Sequence, residues 1–205
     1  MLGNHLVTKQ SGVDGLPVGS IYIVEKIGID RELYLSLTLD RKAATATFIY
    51  SKEGGMAIED VAHTSPEKVH KLAINPLVGI IDSELKQVAK DLDLAAHEDQ
   101  VVHLFKSLYQ CFWDKDCDMV EINPLVLTDK GVVMAADSKI TIDSNALHRQ
   151  KELAAQEDKT QDNPKEAHAK KFDLNYIHIG GNIGCLVNGA GLAMSTMDII
   201  DLYGG

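Results

Sequence analysis

The sequence predicts a mixed fold, α+β passing into α/β. An antiparallel sheet carries helices, and a strand–turn–helix unit begins near the end of the chain. Three observations predict it. Arg31 to Asp40 places Leu33, Leu35, Leu37 and Leu39 on one face, and Thr45 to Tyr50 returns beside it across a turn at Arg41-Lys-Ala-Ala. Two amphipathic stretches, Asp82 to Leu94 and Glu98 to Trp113, then read as helices. Finally, Asp118 to Lys139 reads as two strands around one tight turn.

In order along the chain, Leu2 to Gly19 is rich in glycine and reads as a short strand and loop, and Ser20 to Glu25 as a strand. Gly54-Gly55 breaks the pattern before Met56 to Ala62. Ser65-Pro66-Glu67 fits a helical turn with serine as cap and proline in first position, and Lys68 to Ile74 fits an extended segment. Ser144 to Ala155 is amphipathic and predicts a helix. The polar run from Gln156 to Pro164 reads as a solvated linker. Asn182 to Asn188 has the composition of a short buried strand, and Leu192 to Leu202 reads as a helix.

The 205 residues suffice for one large domain or for one domain and part of another. With 45% hydrophobic residues and 24% charged, the composition is that of a globular protein. A net charge of −10 lacks the basic face that a nucleic-acid binder needs. No apolar run reaches the length of a membrane span, and Met1 to Ser20 has no signal-peptide pattern. The three cysteines have neither zinc spacing nor a disulfide framework, which favours a reducing compartment.

The hairpin carries the chemistry. Asp129-Lys130-Gly131 is a three-residue loop with glycine at the position that turns left-handed. That loop puts Asn123 opposite Asp137 and Glu121 opposite Lys139, with Glu121 and Asn123 on one face. A carboxylate and an amide carbonyl are hard oxygen ligands, and magnesium commonly takes one or two beside water and phosphate oxygens. Asn123 and Asp137 suit that role, and Glu121 suits a third ligand or a partner for a cation. The plainer alternative is a solvated face with a Glu–Lys cross-strand pair, worth a few tenths to about 1 kcal/mol. Glu25 and Glu32 sit at adjacent strand ends, where carboxylates accept from a ribose, help hold a metal or simply face solvent. Asn188, Gly189 and Gly191 stand at a strand-to-helix turn, a geometry that aims backbone N–H groups at an anion. Such a turn is weak evidence alone.

These motifs together resemble the β subunits of succinyl-CoA synthetase, which are ATP-grasp acid–CoA ligases. The resemblance rests on Val120-Glu-Ile-Asn-Pro-Leu125, Asp137-Ser-Lys139, Asp143-Ser-Asn-Ala-Leu147 and Gly181-Asn-Ile-Gly-Cys-Leu-Val-Asn-Gly-Ala-Gly-Leu-Ala-Met194 with Met197-Asp-Ile-Ile200. Leu6-Val-Thr-Lys-Gln10 and Arg31-Glu-Leu-Tyr-Leu35 extend it toward the start. It implies residues 1–155 as the C-terminal part of an ATP-grasp domain, 156–174 as a linker, and 175–205 as the start of a flavodoxin-like CoA-ligase domain. It further implies that the first ATP-grasp half precedes Met1 and that the rest of the CoA-ligase domain follows Gly205.

The implied reaction is reversible: succinate, CoA and ATP or GTP give succinyl-CoA, ADP or GDP, and phosphate. A histidine on an α subunit carries the phosphoryl group within a heterodimer or heterotetramer. The resemblance makes Asn123 and Asp137 the Mg2+ ligands, Glu25 and Glu32 the nucleotide-contacting carboxylates, and Glu121 the acid facing the phosphohistidine. Asn188, with Gly189, becomes the succinate site. Gly180 stands where the family carries an acidic residue. The expected location is the mitochondrial matrix in a eukaryote and the cytoplasm in a bacterium. Two other readings share the scaffold: an inactive module that binds the α subunit, and a ligase for malate or citrate.

Overall fold

The chain begins with a small antiparallel pair, β1 (His5–Leu6) and β2 (Leu16–Pro17). The computed structural model describes residues 1–8, 11, 13, 15–157, 163–179 and 181–205. It divides into a unit of Tyr22–Glu157 and a unit formed by Met1–Ile21 with Asp158–Gly205.

The larger unit is built on β3 (Ile29–Asp40) and β4 (Thr45–Ser51), paired antiparallel from Tyr34↔Ser51 to Asp40↔Thr45. A short helix α1 (Ile58–Thr64) and a 3-10 turn at Pro66–Lys68 lead to β5 (Val69–Ala73) on the outer edge of β4. Helices α2 (Asp82–Asp91) and α3 (Glu98–Asp114) follow. The long strand β6 (Cys117–Thr128) then pairs with β3 on one side. On its other side it pairs with β7 (Val133–Ala135) and β8 (Ser138–Ile142). The sheet order is β5-β4-β3-β6-β7, with β8 also on β6.

One face of this sheet is the core. Leu33, Leu35 and Leu37 of β3 and Val120, Ile122 and Leu125 of β6 pack with Phe48 against Leu85, Val88, Val101, Phe105 and Phe112 of the two helices. Phe48 and Phe105 meet with ring centroids 4.8 Å apart and their planes tilted by 48°. Arg31 closes the C-terminal end of α2 by donating to the carbonyls of Leu92 (3.0 Å) and Asp93 (3.3 Å). A guanidinium there satisfies carbonyls that the helix leaves free and meets the negative end of its dipole.

Three expected elements are corrected. Ser20 to Glu25 forms no strand; its residues are exposed and make no ladder. Strand-forming composition needs a partner edge, and none lies beside it among the described residues. Ser144 to Ala155 is not one helix but a 3-10 turn at Ser144–Ala146 followed by α4 (Lys151–Ala154). Asp143 caps the turn through Asn145 N (2.9 Å), while Arg149 and Gln150 turn back to Asp116. Those side-chain bonds outweigh a helical preference of a few tenths of a kcal/mol per residue, about the spread among ordinary residues.

The smaller unit adds α5 (Pro164–Lys170), within the segment expected as linker, and α6 (Ala190–Leu202). Asn182 to Asn188, expected as a buried strand, is an exposed irregular segment, with Leu186 93% accessible. An apolar run becomes a buried strand only where neighbouring strands and a covering layer exist, and none pairs with it among the described residues. Lys9, Gln10, Gly180 and residues 158–162 of the linker lie outside the described residues. No described helix is long and apolar enough to cross a membrane.

Candidate active site

The hairpin forms as its sequence dictates. Thr128 N donates to Val132 O and Gly131 N to Thr128 O, both at 2.9 Å, enclosing Asp129-Lys130-Gly131. Gly131 has φ +73, a left-handed value that a side chain would resist. The ladder beyond pairs Leu125↔Ala135 in β7 and Ile122↔Ser138 and Glu121↔Lys139 in β8. Asn123 and Asp137 occupy the step between those two ladders. Glu121, Asn123, Asp137, Ser138 and Lys139 together line a hollow of about 190 Å³.

A bulge aims this cluster. Leu33 pairs with Leu125 but Leu35 pairs with Ile122, so Tyr34 alone faces the two residues Asn123 and Pro124. The extra residue lets Ile122 and Leu125 both face the core while Glu121 and Asn123 face the other side. Tyr34 and Ser36 share that other side. Tyr34 is 4% exposed. Burial pushes its phenol up to about 12, and the neighbouring Glu121 and Glu59 carboxylates add to the rise while Ser36 opposes it. The phenol is therefore a neutral donor beside Glu121.

Asn123 is held at both ends of its amide. Oδ1 accepts from Gly55 N at 2.8 Å, and Nδ2 donates to Met56 O at 2.9 Å. Asp137 accepts from Ser138 N through Oδ1 at 2.8 Å. Glu121 and Lys139 are opposite each other in the ladder, yet no ion pair joins them among the described residues.

The donor set fits a hard cation shared with a phosphate ligand. It offers an amide oxygen on β6 and a carboxylate in the bend between β7 and β8, with a second carboxylate in the same hollow. Among the described residues no three His, Cys, Asp or Glu side chains gather into a metal cage, so the protein's share is small. A magnesium ion completed by phosphate oxygens and water asks for no more.

The other candidates are placed as follows. Glu32 lies on β3 with its carboxylate against Gly55, and Glu25 lies in the exposed segment before β3; neither lines the hollow. Asn188 and Gly189 belong to the smaller unit. Gly189, at φ +98, precedes the first turn of α6, and no side chain caps that end. Asn188 is exposed. Sequence reasoning missed Tyr34 and the Gly54–Gly55 loop. The signal for Tyr34 was its place in the polar half of the β3 alternation. For the loop it was the glycine doublet directly after a strand.

Known proteins similar to this chain identify its family. Residues 1–127 match the family described as the ATP-grasp domain. The whole chain is 50% identical to the beta subunit of the ADP-forming succinate–CoA ligase of Rhodopseudomonas palustris, covering 52% of it. It is 49% identical to the same-named subunit of Bordetella avium, covering 53%. The chain thus spans about half the length of the curated relatives it matches. Among solved structures, an ATP citrate lyase from Methanothrix soehngenii, in complex with citrate and coenzyme A, matches 99% of this chain and 48% of its own. The TM-score is 0.67 at 19% identity, a likeness of fold. By its sequence over most of the sheet-bearing unit, the chain belongs to the ATP-grasp domain family.

Proposed function

We propose that the chain is part of a succinate–CoA ligase β subunit and handles the nucleotide, its metal and succinate beside an α subunit that carries a phosphohistidine. One observation carries the reading: the hairpin gathers Glu121, Asn123 and Asp137 in one hollow. Similarity over the full chain to subunits named ADP-forming supports it and favours ATP and ADP over GTP and GDP.

Asn123 and Asp137 would hold Mg2+, which when bound neutralises phosphate charge during transfer. Glu121 accepts a proton-bearing ring nitrogen of the incoming histidine and so orients it. Tyr34, buried and neutral, lies beside Glu121 on the same face of the sheet. Glu32 and Glu25 accept from the nucleotide. Asn188 and Gly189 take a succinate carboxylate in the smaller unit, where α6 begins. Residues 1–155 serve as the C-terminal part of an ATP-grasp domain, 156–174 as linker and 175–205 as the start of the CoA-ligase domain. The partner is an α subunit, in a heterodimer or heterotetramer.

The test is Asp137→Ala in the complete heteromer. Phosphorylation of the α-subunit histidine by ATP and Mg2+ is expected to be lost while circular dichroism stays unchanged. Phosphorylation at the wild-type rate would overturn the assignment.

A further inference from the structure

An asparagine is a metal ligand only through its oxygen. The two ends of its amide are nearly the same size, so packing alone does not decide which end faces a site. Around Asn123 the decision is made by hydrogen bonds. Gly55 N–H can only donate, so it demands Oδ1 at 2.8 Å; Met56 C=O can only accept, so it demands Nδ2 at 2.9 Å. Turning the amide over would set donor against donor and oxygen against oxygen. The second lone pair of Oδ1 then has one fixed direction.

The loop itself is seated by its glycines. A Cβ on Gly54 would overlap the backbone of Leu33 and Glu32, so at that point the loop lies backbone to backbone on β3. Gly55 has φ +71, and a Cβ there would meet the Glu32 carboxylate. Gly54, Gly55 and Met56 thus sit where β3 and β6 both reach them, one through Glu32 and Leu33 and one through Asn123.

We propose that the Gly54–Gly55 loop is a positioning element that locks the amide of Asn123 so that its oxygen serves the metal site. The inference rests on the metal reading of Asn123 given above, and it adds Gly55 and Met56 as positioning residues that act through their backbone bonds to Asn123. An aspartate at 123 separates the two roles. A carboxylate presents oxygen whichever way it turns, so it needs no lock to bind metal. It loses the donor to Met56 and places an oxygen against that carbonyl, so it loosens the loop.

The experiment uses the complete heteromer, with Mn2+ and ADP as probe read by water-proton relaxation, and backbone hydrogen exchange over residues 54–58 of this chain. Gly55→Ala is expected to weaken Mn2+·ADP binding about tenfold, the scale of one or two misplaced hydrogen bonds. Adding Asn123→Asp to that variant is expected to restore binding to within about twofold, which the loss of a merely structural loop contact would not allow. Asn123→Asp alone is expected to speed exchange over 54–58 about tenfold while Mn2+·ADP still binds. Asp137→Ala is expected to leave that exchange unchanged. Wild-type Mn2+·ADP binding by Gly55→Ala, no restoration in the double variant, or unchanged exchange in Asn123→Asp would each overturn the lock. Wild-type Mn2+·ADP binding by Asp137→Ala would instead overturn the metal reading, and the exchange arm, which needs no metal, still judges the lock.

Discussion

The side-chain amide of Gln100 stands in for a strand at the edge of the sheet: its Oε1 accepts the backbone N–H of Val133 at 2.9 Å. Its Nε2 donates to Gly131 O at 3.0 Å. One residue in the first turn of α3 therefore holds the outer side of β7 and the loop that precedes it. This is how a helix on the core face fixes the hairpin that carries Asp137.

Gln100→Ala removes both bonds and leaves two backbone groups short of partners. The expected cost is about 1–3 kcal/mol of stability, measured by urea denaturation. Hydrogen exchange should quicken at Val133 before it quickens in β3. A variant as stable as the wild type, with Val133 equally protected, would show that the edge holds without Gln100.

The core makes a second quantitative claim. Phe105 is fully buried and meets both Phe48 (4.8 Å) and Tyr50 (6.4 Å between centroids). Phe105→Ala opens a cavity between α3 and the sheet, with an expected cost of about 3–5 kcal/mol. Phe105→Leu, which keeps much of the volume, should cost clearly less in the same denaturation series. Equal losses for the two variants would mean that ring contacts rather than volume decide this site.

Much of this was legible in the residues, and the failures have a common cause. The leucine alternation of β3 and the glycine of the hairpin loop are local signals, and both the strand and the Glu121↔Lys139 register follow from them. Leu39, one residue from the end of β3, is the exception within the stripe, at 45% exposure. Ser20 to Glu25 and Asn182 to Asn188 failed because a strand is made by its neighbours, and composition says nothing about whether a neighbour is there. Ser144 to Ala155 failed because Arg149 and Gln150 bind Asp116, a residue more than thirty positions away in the chain. In the site, the Asn123–Asp137 pairing was readable by counting along the hairpin. The bulge opposite Tyr34 and the grip of Asn123 on Gly55 and Met56 were not, since both depend on where β3 and the Gly54–Gly55 loop lie beside β6.

That clasp around Asp116 gives a pH dependence with a definite sign. Hydrogen bonds from Arg149 (2.6 and 2.8 Å) and then from Gln150 hold the Asp116 carboxyl down at about 2, below its ordinary 3.8. A depressed carboxylate stabilises the fold above its unfolded value, and the contribution disappears as pH falls through the folded one. The stability gap between wild type and Asp116→Asn should therefore be widest near neutrality and shrink from about pH 4 to about pH 2. A gap that does not change over that range would mean that the clasp does not depend on the charge of Asp116.

The last prediction concerns Asn188, at the start of α6. Succinate and a phosphohistidine are both anions, and a chain of net charge −10 does not attract them globally. A local positive end can, and the first turn of α6 has backbone N–H groups that no side chain caps. Asn188 is exposed beside that turn and adds a neutral donor without adding negative charge. Asn188→Asp keeps the size and replaces the donor with a carboxylate. In the complete heteromer, repulsion should weaken succinate binding and slow the dephosphorylation of the histidine by succinate and CoA. On the proposed reading, phosphorylation of the histidine by nucleotide would draw on Asn123 and Asp137 in the other unit and should suffer less. The two partial reactions can be followed separately with labelled phosphate. If Asn188→Asp slows phosphorylation by nucleotide and leaves the succinate-dependent step normal, Asn188 serves the nucleotide site and not the succinate site.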